Sequence, residues 1–385
     1  VLLVNDGGIN SNKNLFSRKS AMNNKKKFNT AMLGLLSSSV LMAVFGYVNA
    51  QGEPPDVIET SSHIFTRMAD GVYQVTGTGE VYVMSNALML VGEEDVLLVD
   101  SHVTPNAANA LIESVAAVTN KPIRYLVNTH YHFDHAHGNQ VFPEQVDIIG
   151  HSYTRAKLSG ELGNVLTENT HVSFTEGVPA LVESLRRQLS DTTDPEQRAQ
   201  LQRTLNAQEA HMISIQEVIP TPPNITIEDK MTLYQTLSEG AREVQILHLG
   251  RAHTAGDVVV YLPAEKMVFT GDFMMSSLSY MGDSYPQEWV GTLEALKGLD
   301  FDIILPGHGA PLQGKEKVGQ FQAYLTDLWQ KVSALKTQGL SAEETAAQVD
   351  MSNHASNYAQ IGGPGADVRG IRRIYALLDE QATGG

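Results

Sequence analysis

The sequence contains no cysteine in 385 residues. That absence excludes disulfides, and it excludes a thiolate as metal ligand or nucleophile. Basic charge is scarce as well, with 27 Lys/Arg against 43 Asp/Glu and a formal net charge of -16. Beyond residue 50 the counts are 21 basic and 42 acidic, a net of -21. Such a surface repels polyanions, so nucleic acid is not expected as a substrate. No internal repeat recurs at a solenoid period. No Gly-x-Ser-x-Gly elbow marks a serine nucleophile. Past Val48, no apolar run is long enough to cross a bilayer.

What is present supports a sizeable core, with 42% hydrophobic residues and 32 glycines. Length alone allows two to three domains. Residues 1–21 read either as sequence upstream of the true start or as added residues. From Met22 a basic head (Lys25, Lys26, Lys27) precedes an apolar run from Ala31 to Val48 and a small residue at Ala50. That layout predicts a signal peptide over 22–50, cleaved before Gln51, and a periplasmic or secreted protein with no stable membrane anchor after cleavage. A transmembrane anchor is the competing reading. Ser37, Ser38 and Ser39 with the small-residue exit favour cleavage.

The chain beyond this alternates strand and helix patterns. Residues 71–75 and 87–100 read as strands, the latter a hairpin turning over 92–95. Thr104 caps a helix that starts with Pro105 and puts Ala108, Leu111, Ile112, Val115 and Val118 on one face. Residues 123–129 and 147–151 read as further strands. Between about 152 and 223 the pattern becomes helical, with Asp194 as an N-cap and Pro195 in the first turn. It reads as a helical insertion, closed by "PTPPN". Strands resume with "ITIEDKMTLYQ", "EVQILHLG", "DVVVYLP" and "KMVFTGD". A helix near 286–299 leads to the strand "FDIILPGHG", and the tail from 313 to 385 is helical. Strands interleaved with helices predict an α/β sandwich.

Four histidines and an aspartate fall within eight residues, in "NTHYHFDHAHGN" (128–139). Read as extended chain, His130, His132 and Asp134 share one side and His135 turns off it. Two imidazoles two residues apart can grip one metal, and the adjacent Asp-His pair can reach a second. Gly138 permits a tight turn. Zinc takes about four ligands and leaves one position for water when catalytic. Distant partners at strand ends are His253 in "LGRAHTAGDVV", Asp272 in "VFTGDF" and His308 in "ILPGHGAP". Each stands beside glycine, which lets backbone and side chains approach a shared point.

In this order and at these spacings, residues 70 to 312 resemble the metallo-β-lactamase superfamily of zinc hydrolases. The resemblance implies an αββα sandwich, here a domain over 51–312 with a helical insertion and a helical C-terminal extension. It implies two zinc ions per chain. His130, His132 and His253 would hold the first; Asp134, His135 and His308 the second; Asp272 would bridge them. Turnover would depend on Asp134. Asp100, in "LLVDSH", matches the family's early strand-end aspartate and would buttress the metal loop; an ordinary helix-approach aspartate is its alternative. Missing cysteine excludes the lactamase subclasses with a cysteine ligand. The bridging Asp272 is closer to glyoxalase II and the lactonases. His132, where related di-iron proteins carry glutamate, favours zinc.

The expected activity is hydrolysis of a β-lactam, lactone or ester of a small molecule, by a hydroxide shared between two zinc ions. Alternatives are a thioesterase, a mono-iron persulfide-oxidising relative that leaves His135 and His308 without metal, a superfamily nuclease, and a zinc-binding protein without turnover. The charge argues against the nuclease. Of the remaining histidines, His137 is expected as a loop hydrogen-bonder. His63, His102, His151, His171, His211, His248 and His354 are expected on the surface or in structural roles. Met274, Met275, Tyr280, Tyr285 and Trp289 either line a pocket or pack. Residues 76–83 are either a mobile flap or a hairpin tip.

Overall fold

A computed structural model describes residues 56–166 and 168–383. The upstream segment 1–21 and the signal segment 22–50 lie outside the described residues. Among those described, no helix is long and apolar enough to cross a membrane.

Two sheets stack face to face. The first begins with strands β1 (Val57–Glu59), β2 (His63–Ala69), β3 (Val72–Gly77), β4 (Ala87–Val91) and β5 (Val96–Val99), each antiparallel to its predecessor. Helix α1 (Pro105–Val118) then crosses over to β6 (Ile123–Val127), parallel to β5. Thr104 Oγ1 accepts from Ala107 N and Pro105 opens α1, as the cap pattern requires. The loop after β6 carries a single helical turn, α2 (Phe133–Ala136), and leads to parallel strand β7 (Asp147–His151).

A long helical excursion follows: α3 (Ser152–Leu158), α4 (Glu168–Val172), a π-turn over Ser173–Gly177, α5 (Val178–Asp191) and α6 (Pro195–Ser214). Asp194 caps α6 by accepting from Gln197 N at 2.8 Å. The chain rejoins the first sheet through β8 (Ile225–Ile227), parallel to β7.

The second sheet runs from β9 (Lys230–Thr236) through β10 (Ala241–Leu247), β11 (Val259–Leu262) and β12 (Met267–Gly271) as an antiparallel meander. Helix α7 (Pro286–Lys297) crosses to β13 (Ile303–Pro306), parallel to β12, and β14 (Leu312–Gln313) forms the edge. Three helices close the chain: α8 (Glu316–Thr337), α9 (Ala342–Gln348) and α10 (Val368–Thr383).

Both faces of the central strands are buried, which is why they read as unbroken apolar runs. Side chains alternate across each strand. Leu88, Leu90, Leu97 and Val99 point between the sheets, against Val244, Ile246, Val260 and Phe269 of the second sheet. Met89, Leu98 and Leu126 point outward onto Leu111 and Val115 of α1. On the far side, Tyr261, Val268 and Ile304 meet Trp289, Phe321 and Ile371 from α7, α8 and α10. The layers are therefore helix, sheet, sheet, helix. Each fully buried side chain of this size contributes roughly 1.5–3 kcal/mol of transfer free energy.

Two local expectations are corrected, and a third is refined. "ITIEDKMTLYQ" is not one strand: β8 pairs with β7, while β9 pairs with β10 in the other sheet. Glu228 and Asp229 between them carry the chain across. Secondly, His130 to His135 is not extended throughout; the chain coils at Phe133, so Asp134 and His135 project from a helical turn. Thirdly, Gly138 does lie in a turn, but with an ordinary φ of -80°. Its glycine serves close approach, since a Cβ there would lie 2.0 Å from the Ser101 carbonyl oxygen. Strand β2 was not anticipated from the sequence. Its "HIFTRMA" lacks clean alternation, and register comes instead from pairing with β3.

Candidate metal centre

All seven predicted ligands meet at one rim of the sandwich, at the carboxyl ends of strands, where open α/β sheets offer their binding crevice. His130, His132, Asp134 and His135 follow β6. His253 lies in the loop after β10, Asp272 directly follows β12, and His308 follows β13. They fall into two groups. His130, His132 and His253 form one; Asp134, His135, Asp272 and His308 form the other. Within each group the ligand atoms lie within 4.8 Å of one another.

Asp272 joins the groups. Its Oδ1 stands 3.2 Å from His135 Nε2 and 3.4 Å from His308 Nε2, while Oδ2 stands 3.7 Å from His253 Nε2. Asp134 Oδ2 is 2.9 Å from His308 Nε2 and 3.3 Å from His135 Nε2. The glycines anticipated beside these residues are needed. A Cβ on Gly307 would lie 2.6 Å from Asp272 Oδ1, and one on Gly271 would lie 2.5 Å from Thr129 Oγ1.

The donor set fits divalent cations. His130 Nε2 is buried with no hydrogen-bond partner. His132 Nδ1 and His253 Nε2 face each other at 3.0 Å, an approach that needs a proton or a cation between the two lone pairs. His135 Nε2 and Asp272 Oδ1 are buried and close, yet not aligned as a hydrogen bond. Among the described residues there is no sulfur ligand, and imidazole with carboxylate is a donor set that zinc accepts.

Electrostatics prepare His130, His253 and the two carboxylates for the same state, while those carboxylates raise His135 and His308. Burial, reinforced by neighbouring His135, His132 and His253, holds the His130 imidazole well below its ordinary value. Burial, then His132, lowers His253 to about 3. Both are therefore neutral, the form that coordinates. Burial opposes ionisation of Asp134, but His135 and His308 outweigh it and hold the carboxyl well below the usual range. Asp272 is lowered likewise, with His308 and His135 overcoming burial.

Asp100 sits behind the centre. Its Oδ2 is 2.7 Å from His135 Nδ1, and its Oδ1 accepts from Thr129 N at 2.8 Å. With φ of 64°, Asp100 occupies the left-handed region, which aims the carboxylate at the metal loop at a cost of about 1–3 kcal/mol. Ser101 N donates to His135 O and Ser85 Oγ donates to Asp134 O, so the helical turn is pinned from two sides. Asn86 Nδ2 donates to Pro306 O and Gly309 O and anchors the loop of His308.

The remaining residues divide. His137 is buried with Nδ1 unpartnered, packed on Phe133 and Phe174, and so is not the loop hydrogen-bonder expected. His63 and His102 form a buried pair with Nε2 atoms 3.2 Å apart, and His354 bonds Asp327. Met274, Met275 and Trp289 are core residues. Tyr280 is not: its ring centroid lies 5.7 Å from that of His132. In the 76–83 segment, Val83 is buried and Tyr82 packs on His211 of the helical excursion. Sequence reasoning missed Asp283, whose Oδ2 is 3.1 Å from His132 Nε2. One carboxylate in an irregular loop leaves no pattern to read.

Comparison with known proteins agrees with this architecture. The model of the Metallo-beta-lactamase superfamily matches residues 82–308. A linear primary-alkylsulfatase of Pseudomonas sp. is 22% identical over 300 residues, covering 74% of this chain and 54% of the relative. The alpha subunit of a 2,4-dinitroanisole O-demethylase of Nocardioides sp. is 22% identical over 272 residues, covering 70% and 62%. Among solved structures, a stereoselective inverting sec-alkylsulfatase from Pseudomonas sp. superposes with a TM-score of 0.56 at 18% identity, covering 81% of this chain and 50% of that one. The chain thus spans about half to three fifths of the length of these relatives.

Proposed function

The chain belongs to the metallo-beta-lactamase superfamily, and from that membership and its seven-residue rim we propose that it is a two-zinc hydrolase of small molecules. The observation that carries the reading is the division of Asp272 between the two groups, one oxygen toward each. A mono-iron enzyme would leave His135 and His308 idle, whereas here they close a second group around Asp134.

The residues then have distinct tasks. His130, His132 and His253 would hold the first cation; Asp134, His135 and His308 the second; Asp272 would span both. Bound zinc supplies Lewis acidity and lowers the pKa of water to about 7, which makes a nucleophile available at neutral pH. Asp134 and Asp272, both ionised, would accept a hydrogen bond from an attacking water and fix its direction. His308, a quarter exposed at the mouth, would face the leaving group. Burial of the other ligands keeps bulk water from competing.

A carbonyl bond of an ester, lactone or β-lactam suits this arrangement, as the family resemblance implies. A sulfate ester is the second reading. It is favoured by the two alkylsulfatases among the relatives, whose matches extend over about three quarters or more of this chain. The acidic surface favours a small substrate over nucleic acid. One experiment tests the proposal: zinc-loaded protein assayed against β-lactams, lactones, aryl esters, thioesters and primary and secondary alkyl sulfates, before and after chelation. Turnover that disappears with chelation and returns with zinc is expected; turnover that survives chelation sinks the reading.

A further inference from the structure

His132 uses both ring nitrogens. Nδ1 faces His253 at the centre, and Nε2 faces Asp283 Oδ2 at 3.1 Å. A ligating imidazole held by a carboxylate on its far nitrogen is fixed in tautomer and orientation. Asp283 lies in an irregular stretch between Asp272 and α7, with no strand or helix of its own to set its position. Tyr285 N donates to Ala252 O at 2.8 Å and Arg251 lies over the Tyr285 ring at 4.3 Å, and the C-terminal helix α10 closes on the same stretch. Arg373 Nε donates to Ser284 O at 2.9 Å, and its guanidinium lies over the Tyr285 ring at 4.5 Å. The Arg369 guanidinium lies over the Tyr280 ring at 4.9 Å. Between them, Gly370 packs on Met281 so closely that a Cβ would lie 3.1 Å from Met281 Cβ. Two stacked arginines thus grip the loop on either side of Asp283, and the missing side chain at 370 lets the helix sit down on it.

We propose that the C-terminal helix is a working part of the metal centre: it clamps the 280–285 loop, and Asp283 in that loop positions His132. The inference rests on reading His132 as a ligand. Asp283 is a positioning residue, not a catalytic one, because it acts through His132. The 48 residues beyond α8 would then tune metal affinity rather than merely extend the fold.

The test is a titration of the metal-free full chain with cobalt(II), followed by its visible absorption and by competition with a chromophoric chelator. The variants are Asp283→Ala, Asp283→Asn, Arg373→Ala and Gly370→Leu. Asp283→Ala is expected to weaken one of two metal equivalents about 10–100-fold and to change the absorption of that equivalent only. Asp283→Asn, which keeps an acceptor, should recover most of the affinity. Arg373→Ala and Gly370→Leu should weaken the same equivalent, with circular dichroism unchanged. If the unaltered chain takes up two equivalents and Asp283→Ala takes up two just as tightly, the clamp is overturned while the two-metal reading stands. Selective weakening by Asp283→Ala without any effect of Arg373→Ala or Gly370→Leu overturns the part assigned to α10. A chain that takes up no cobalt at all overturns both.

Discussion

Asp100 and His135 form a fully buried pair, with carboxylate oxygen and imidazole Nδ1 2.7 Å apart. The pair fixes which nitrogen His135 presents to Asp134 and Asp272. Burial raises the Asp100 carboxyl and His135 opposes that rise. His135 in turn is pushed down by burial, yet the carboxylates of Asp134, Asp272 and Asp100 hold it well above its ordinary value. Each group is stable there because of the other.

On the proposed two-metal reading, removing that support should loosen the second metal. Asp100→Ala is expected to lower its affinity about 10–100-fold, with the first metal little changed. Competition titration against a chromophoric chelator measures it. Equal affinity in the variant would leave Asp100 as a simple turn residue.

The two site carboxylates should differ in reach. Asp272→Ala touches both groups and should cost both equivalents, whereas Asp134→Ala should cost one. Turnover should fall by about 10²-fold or more in each, with substrate binding far less affected. Metal content by mass spectrometry beside kcat and KM separates the cases. Loss of one equivalent in both variants would contradict the shared carboxylate.

Gly307→Ala probes packing directly. Its Cβ would press on Asp272 Oδ1 at 2.6 Å and on His135 Cε1 at 2.9 Å. Overpacking of this kind costs about 1–3 kcal/mol. Metal content should fall more than the melting temperature of the metal-free chain, and the two measured together would show it.

Acid should destabilise the fold through neutral buried histidines. Burial lowers His63 and His211 to about 4. The unfolded chain takes up these protons near pH 6.5, before the folded chain does, so stability present above pH 6.5 is lost as pH falls toward 4. Each group removes up to about 3 kcal/mol over that window. His211→Phe, flanked by Tyr82 and Phe174, should reduce the fall in melting temperature between pH 6.5 and 4. An unchanged slope would place the acid sensitivity elsewhere.

The seven rim residues were legible because chemistry narrows the choice. Few side chains bind zinc, so His130 to His135 and three glycine-flanked partners stand out against any background. Sheets were legible where both faces are buried, as at Leu88–Leu90, because an apolar run then needs no alternation. The crossing between Ile227 and Lys230 was hidden, since two strands separated by two residues look like one. Coiling at Phe133 was hidden too, because a single turn has no period. Asp283 and the arginines of α10 act through distance in space, and spacing along the chain does not encode that.

Neither half of this molecule owns a complete set of ligands. The eight-stranded half brings His130, His132, Asp134 and His135; the six-stranded half brings His253, Asp272 and His308. Bound cations would therefore act as rivets. If the backbone were nicked in the exposed turn around Thr193 and Asp194, the two fragments, already joined by the core between the sheets, should hold each other more tightly when zinc is supplied and less tightly when it is withdrawn. Catalyst and fastener would be the same pair of ions.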